Sequence, residues 1–376
     1  MMKIPSVDLR AQYSTLREEL QTAINEVLES QGFILGPKVE AFEKEMARYC
    51  STSFAVGVAS GTDALLLGLR AIGIERGDEV ITSPFTFFAT AGAIFNAGAT
   101  PVYVDIDPAT FNLDPRLVQE KINPRTKAII PVHLFGQPAD MKAILEIAQR
   151  RGIKVIEDAA QSIGAEFCLD GRWMKAGSMG DLGCISFFPS KNLGGLGDGG
   201  MVVTSNNQLR DQVMLLRTHG GRSKYLHEIV GYNSRLDALQ AAVLSVKLKY
   251  LDGWSASRCA RAEAYDRLFA GAGLGTRVKT PVIKTYAKSV FNQYVVCADQ
   301  RDALQKHLSN HGVSTAVYYP IPLHLQPCFK FLGYKTGDFP FSEEAAREVL
   351  ALPMYPELTE AMQEYIVAQI RGFYDS

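Results

Sequence analysis

The chain of 376 residues has almost no charge imbalance, with 39 Lys and Arg against 40 Asp and Glu, mixed rather than run in blocks. Such a chain has no field to draw nucleic acid or an anionic membrane surface, and no charged tail of the kind that stays disordered. It lacks any apolar run near the roughly 20 residues that a membrane span needs. Its first stretch, Met1 to Asp8, meets an aspartate too early to build a signal-peptide core. Cysteine is sparse: Cys50, Cys168, Cys184, Cys259, Cys297 and Cys328 are scattered without a CxxC or paired spacing. That scatter disfavours a disulfide framework and a zinc site, so no metal is expected, and it fits reduced thiols in the cytoplasm. Internal repeats and low-complexity segments are also absent. What is left is a chain 47% hydrophobic, long enough for about two domains around a large core.

Periodicity and punctuation give the order of elements. Thr15-Leu16-Arg17-Glu18 has capping-box spacing, which predicts a first helix opening there and ending at Gly32. Gly36-Pro37 predicts a second, with Val39, Phe42, Met46 and Tyr49 on one face. Short apolar runs then alternate with helical patterns. Residues 54–58, 79–82, 101–105, 128–132, 154–157, 184–188 and 201–204 are candidate strands, with helices at 62–72, 86–96 and 140–150. Near-continuous apolar strands separated by helices predict an α/β fold, a mostly parallel sheet sandwiched by helices, with ligands at the carboxyl ends of the strands. After residues 208–216 comes a Gly/His/Arg-rich loop at 219–233, then a long helical pattern from Arg235 to about Tyr250. The remainder reads as a helix at 258–269, a strand at 294–298 and a helix at 301–310. The expected division is 1–250 for an amino-terminal segment and large α/β domain, and 251–376 for a small carboxy-terminal α+β domain.

The residues after each strand carry the chemistry. After 54–58 comes Ala59-Ser60-Gly61-Thr62-Asp63-Ala64. A small-residue turn feeding a helix suits a phosphate, although a Thr62 cap with a glycine turn has the same pattern. After 154–157 comes Asp158-Ala159-Ala160-Gln161. Unless it merely caps a helix, a carboxylate at a buried strand end needs a cation or several donors. A protonated pyridine nitrogen would serve: at ~4 Å and an effective dielectric of ~20 the pair is worth about 4 kcal/mol, near three pKa units. After 184–188 comes Pro189-Ser190-Lys191-Asn192-Leu193-Gly194-Gly195-Leu196-Gly197. A lysine there is a candidate for imine formation if burial or a nearby positive charge strips its proton; a surface-loop lysine is the ordinary alternative. Gly195, Gly197 and Gly200 also spell GxGxxG, but they lead into an apolar run that reads as a strand, which argues against a dinucleotide turn. A phosphate turn, an acid for a pyridinium and an imine lysine, all at strand ends of one α/β unit, point to pyridoxal phosphate.

Along nearly its whole length the chain resembles the DegT/DnrJ/StrS sugar-nucleotide aminotransferases, of the aspartate-aminotransferase fold (fold type I). The resemblance is carried, in order, by Ile4 to Leu9, Ala59 to Leu65, Pro84-Phe85-Thr86-Phe87, Val155 to Gln161, Ser186 to Lys191, Gly231-Tyr232-Asn233-Ser234-Arg235-Leu236-Asp237 and Tyr319-Pro320-Ile321-Pro322. It implies that Lys191 holds the cofactor as a Schiff base, Asp158 pairs with the pyridine nitrogen and Gln161 contacts the phenolic oxygen. Gly61, Thr62 and Ser186 would hold the phosphate, and Phe87 would stack on the ring, its plain alternative being a core aromatic on the 86–96 helix. Asn233 would reach the phosphate of the neighbouring subunit, which implies a homodimer with shared sites. Arg235, Tyr318 and Tyr319 lie in segments that resemble substrate-facing parts of the family, though a surface arginine and core tyrosines read equally well. His133 and His219 are expected to be structural, since a released Lys191 can move the proton itself.

The implied reaction transfers an amino group from glutamate to a keto sugar of a nucleotide-linked hexose, leaving 2-oxoglutarate, in two half-reactions. Ser186 to Gly194, Lys224-Tyr225 and Ser234 to Asp237 look most like members that aminate C3 of dTDP- or UDP-linked sugars. Tyr318 stands where some uronate-type relatives have His. C4 amination and a cofactor-bound regulator without turnover are the alternatives. A sugar-dehydrating branch has His in place of Lys191, and a sulfur amino-acid lyase would not share the Gly231–Asp237 segment.

Overall fold

The computed structural model describes residues 3–375; Met1 and Met2, which open the amino-terminal stretch considered above, and Ser376 lie outside the described residues. A seven-stranded sheet forms the centre of the larger part. Its strands in chain order are β1 (Phe54–Val58), β2 (Glu79–Thr82), β3 (Thr100–Tyr103), β4 (Thr126–Ile129), β5 (Lys154–Asp158), β6 (Leu182–Ser186) and β7 (Gly200–Thr204). Across the sheet they run β1-β7-β6-β5-β4-β2-β3, all parallel except β7, which is antiparallel to both neighbours.

The apolar strands are explained by cover on both faces. Helices Gly61–Ala71 and Phe88–Asn96 bury Leu65, Leu69 and Ile94 against Val56, Ile156, Leu182 and Val202. On the other side Pro37–Tyr49 and Ala238–Leu248 bury Phe42, Met46, Ala241 and Leu244 against Ile185, Met201 and Val203. Alternation along β6 and β7 therefore supplies both cores.

The second part has a three-stranded antiparallel sheet, Val278–Lys279, Tyr294–Ala298 and Val349–Leu352, packed on helices Leu251–Ala272, Arg301–Asn310 and Glu360–Asp375. Ile4 joins this core, so the amino terminus is tied to the carboxy-terminal unit. We propose that the division falls at the Lys249–Tyr250 joint between consecutive helices.

Several local expectations are corrected. The first helix is Leu9–Ser30, capped by Asp8 Oδ1, which accepts from Arg10 N and Ala11 N at 3.0 Å. Thr15 lies inside it with its hydroxyl on the Gln12 carbonyl, so the capping-box pattern was satisfied by a mid-helix threonine. The helix ends through Gln31 in the left-handed region (φ 53°), one residue before Gly32. The helical pattern from Arg235 to Tyr250 is helical only over Ala238–Leu248, and the next helix starts at Leu251, not 258. Two hairpins, Glu166–Leu169 with Arg172–Lys175 and Gly221–Ser223 with Leu226–His227, fall where no strand was expected.

Candidate active site

Asp158 closes β5. Its backbone is held by His133 N, which donates to its carbonyl at 3.0 Å, and by its own N–H, which donates to Pro131 O at 2.9 Å. The carboxylate is 5% exposed; Thr90 Oγ1 donates to Oδ2 at 2.8 Å and Ala160 N to Oδ1 at 3.2 Å. No helix follows, so this is not a helix cap. Burial raises its pKa, with the hydrogen bonds from Thr90 and Ala160 and the charge of Lys191 pulling the other way. Two donors leave a desolvated anion that a cation would complete.

Glu157, one residue earlier, points to the opposite face of the sheet. It is fully buried and accepts from Met179 N, Gly180 N, Gly177 N and His133 Nε2 at 2.6–2.8 Å. Ala139 N donates to His133 Nδ1 at 3.1 Å. A backbone N–H can only donate, so Nδ1 is bare and the hydrogen sits on Nε2 toward Glu157. His133 is thus a strut behind Asp158 with no free nitrogen for proton transfer. His219 is exposed on the 219–233 loop at φ 58°, its carbonyl accepting from His227.

Lys191 lies in the loop after β6, its N–H on Phe188 O. Burial lowers its pKa to about 8, against the pull of Asp158, which favours the ammonium. The end of β1 lies beside the same place. Val58 and Ser186 are both paired with Gly200, the first residue of β7, so the turn at Ser60-Gly61 comes up against β6. Ser60 Oγ accepts from Asp63 N as the cap of the Gly61–Ala71 helix, so the cap is Ser60 and not Thr62. A Cβ on Gly61 would stand 2.6 Å from Ser186 Cβ, so only glycine allows this approach. Thr62 is exposed, its side chain unbonded to any described residue, and stands in the first turn of that helix with N–H groups free for an anion.

On the opposite wall, Phe135 N donates to Gln161 Oε1 at 2.6 Å, which fixes the amide so that Nε2 donates to Tyr319 Oη at 3.2 Å. Tyr319 packs on Phe87 with ring centres 6.2 Å apart. Phe87 precedes the Phe88–Asn96 helix rather than lying on it, and is 57% exposed, a free aromatic face and not a core residue. Tyr318 lines a small cavity with Ser190 and Asn292. Asn233 is exposed and Arg235 half-exposed, and neither side chain bonds to any described residue.

The structure therefore gathers Gly61, Ser186, Asp158 and Lys191 along three strand ends and Gln161, Tyr319 and Phe87 along one wall. Asn233 and Arg235 flank Ser234, whose Oγ accepts from Ala59 N at 3.3 Å beside the Ser60-Gly61 turn, but their own side chains bond to none of the described residues. Sequence reading missed Thr90, in the first turn of the Phe88–Asn96 helix, whose hydroxyl lies 3.2 Å from that of Thr86 and donates to Asp158. It also missed the Glu157 network, which no motif announces.

Residues 14–371 match the DegT/DnrJ/EryC1/StrS aminotransferase family. The chain belongs to that family. It is 50% identical to a Geobacillus stearothermophilus protein named a pleiotropic regulatory protein, over 99% of both chains. It is 44% identical to a dTDP-3-amino-3,4,6-trideoxy-alpha-D-glucose transaminase of Streptomyces venezuelae, over 98% of this chain and 96% of that one. The crystal structure of S. venezuelae DesV in complex with a ketimine intermediate superposes with a TM-score of 0.95 at 43% identity, covering 100% of each chain. The fold is that of the pyridoxal-phosphate aminotransferases, and the protein is a transaminase.

The residues fit this cofactor. The glycine-only approach of Gly61 to Ser186 brings a serine hydroxyl beside a helix N-terminus, donors suited to a phosphate, and desolvated Asp158 is an anion that a pyridinium would complete. Lys191, with its pKa near 8, offers the amine. Among the described residues no helix is long and apolar enough to cross a membrane.

Proposed function

We propose that this family member transfers an amino group from glutamate to C3 of a keto sugar carried on dTDP or UDP, in amino-sugar biosynthesis, as a homodimer with shared sites. The observation that carries the reading is the pairing, at the ends of β5 and β6, of buried Asp158 with Lys191, whose pKa falls to about 8. The S. venezuelae relative, named as a transaminase of a dTDP-linked 3-amino sugar, supports C3. The dimer is supported by Asn233, whose side chain bonds to none of the described residues, and by apolar side chains left exposed in the segment before it, where Tyr225 is 86% and Val230 is 91% exposed.

When bound, pyridoxal phosphate supplies the electron sink for the pair left by a broken Cα–H bond. Asp158 keeps a proton on the pyridine nitrogen, its anion steadied by Thr90 and Ala160. Gly61, Thr62 and Ser186 hold the phosphate, joined by Asn233 of the partner subunit. Phe87 covers the ring, and Gln161, oriented by Phe135 N, directs its amide N–H to the phenolic oxygen. With the cofactor bound, Lys191 would be the group that moves the proton between the donor's Cα and C4′, as base and then acid, and in the opposite sense, from C4′ to the sugar's C3, when the keto sugar is bound. Arg235, Tyr318 and Tyr319 face the substrate. Two half-reactions at one site give ping-pong kinetics.

The relative named as a pleiotropic regulatory protein favours a second reading, a cofactor-bound sensor without turnover. One experiment separates the two. Glutamate added to the cofactor-loaded protein should abolish the Schiff-base absorption band and produce the pyridoxamine form, and a dTDP- or UDP-linked 3-keto sugar should restore the band. A band that no amino acid changes rules out the transaminase and leaves the sensor.

A further inference from the structure

The mechanism leaves one buried lysine unused. Lys247, near the end of the Ala238–Leu248 helix, is 4% exposed, and burial pushes its pKa down to about 8. Among the described residues no carboxylate pairs with it, and its Nζ donates to one acceptor, Gly194 O at 2.6 Å, three residues beyond Lys191. An isolated buried ammonium is a costly way to satisfy one carbonyl, so its position calls for a reason.

The loop it touches is fastened at few points. Lys191 N bonds Phe188 O and Gly195 N bonds Phe187 O, both at its base. Asn192 ties the near side of the loop to the 290–292 segment, donating to Val290 O at 3.0 Å and accepting from Asn292 Nδ2 at 2.6 Å. Beyond it the turn is held by the Ala238–Leu248 helix, where Lys247 takes Gly194 O and Gln240 Oε1 accepts from Leu196 N at 2.8 Å. The fit there is tight, since a Cβ on Gly195 would stand 2.7 Å from Gln240 Oε1. Lys191 thus sits on a closed turn whose outer carbonyl and N–H both end on one helix.

We propose that Lys247 is a positioning residue for Lys191: through Gly194 it fixes the turn so that the Lys191 amine meets C4′ of the cofactor, with Gln240 as the second fastening. This rests on the reading of Lys191 as the Schiff-base lysine. Lys247→Met keeps the length of the side chain and removes the donor. The Schiff base should form from apo-protein and pyridoxal phosphate about tenfold or more slowly, and kcat should fall by a similar factor with both KM values within about twofold. The affinity for pyridoxamine phosphate, which makes no bond to Lys191, should not change, nor should Tm by more than about 3 °C, because the lost hydrogen bond and the relieved buried charge offset each other.

Loss of pyridoxamine phosphate binding and of Tm together would mean a purely structural role and overturns the proposal, as does Schiff-base formation at the wild-type rate. If Lys247→Met does not fold, Gln240→Ala takes its place, with the same pattern expected at a few-fold and a wild-type rate again refuting it. A wild-type protein that forms no Schiff base would instead sink the reading of Lys191 on which this depends.

Discussion

The two halves of the site are built differently. Around Asp158 every group is braced from behind: Glu157 holds four donors, His133 is locked between Glu157 and Ala139, and the Lys191 turn is fastened at both sides. The stretch from His219 to Arg235 leaves Tyr225, Leu226 and Val230 exposed, and the side chains of Asn233 and Arg235 bond to none of the described residues. The first region is complete within one chain, as proton transfer at fixed atoms requires. The second has the surface of a segment that finishes its contacts on another subunit or on substrate.

The sharpest break of that comparison is at the braced side. Lys191→Ala should fold with an unchanged circular dichroism spectrum yet show no Schiff-base absorption and lose turnover by about 10⁴-fold or more. Wild-type activity in this variant would remove Lys191 from the chemistry. Asp158→Asn should be second in size, about 10³-fold in kcat, because the neutral amide cannot hold the pyridine nitrogen protonated. Thr90 and Ala160 keep the side chain in place, so cofactor should still bind, which equilibrium dialysis would check.

The braced side was also the more legible in the sequence, for a physical reason. Asp158, Lys191 and Gly61 are each local: an apolar run ends, and the next residue has a chemical reason to be there. The seven strands followed from the same logic, because burial on both faces leaves an unbroken apolar run. What stayed hidden depends on distance in sequence. Glu157 draws its donors from 133 and 177–180, and the Glu166–Lys175 hairpin is half-exposed, without the continuous apolar signal of the central strands. Thr15-Leu16-Arg17-Glu18 misled because a capping box and the inside of a helix carry the same letters, and Asp8, a stronger acceptor upstream, took the cap. That the side chains of Asn233 and Arg235 bond to none of the described residues has no local signature at all.

The open side can be tested by complementation. Asn233→Ala should weaken cofactor binding by about tenfold, the worth of one hydrogen bond to a charged group. If Asn233 serves the neighbouring subunit, mixing this variant with Lys191→Ala after dissociation gives hybrid dimers in which one site regains both residues. Random assortment puts half of the dimers in that class with one good site of two, so about a quarter of wild-type activity should return at limiting cofactor. No recovery above the Asn233→Ala level would place Asn233 in its own chain's site and dissolve the contrast drawn here.

The smallest effect tests how the braced side sets its chemistry. In apo-protein the amine that attacks pyridoxal phosphate is the unprotonated form of Lys191. With its pKa lowered to about 8, the free fraction rises about tenfold between pH 7 and pH 9 and then levels off. An ordinary lysine would gain about a hundredfold over the same interval and keep climbing past pH 10. The rate of Schiff-base formation, followed by absorbance, should therefore reach a plateau above pH 9. Asp158 favours the ammonium, so in Asp158→Asn the curve should shift to lower pH, with the plateau reached sooner. A plateau that moves upward would mean that the carboxylate does not act on Lys191 as its placement at the end of β5 requires.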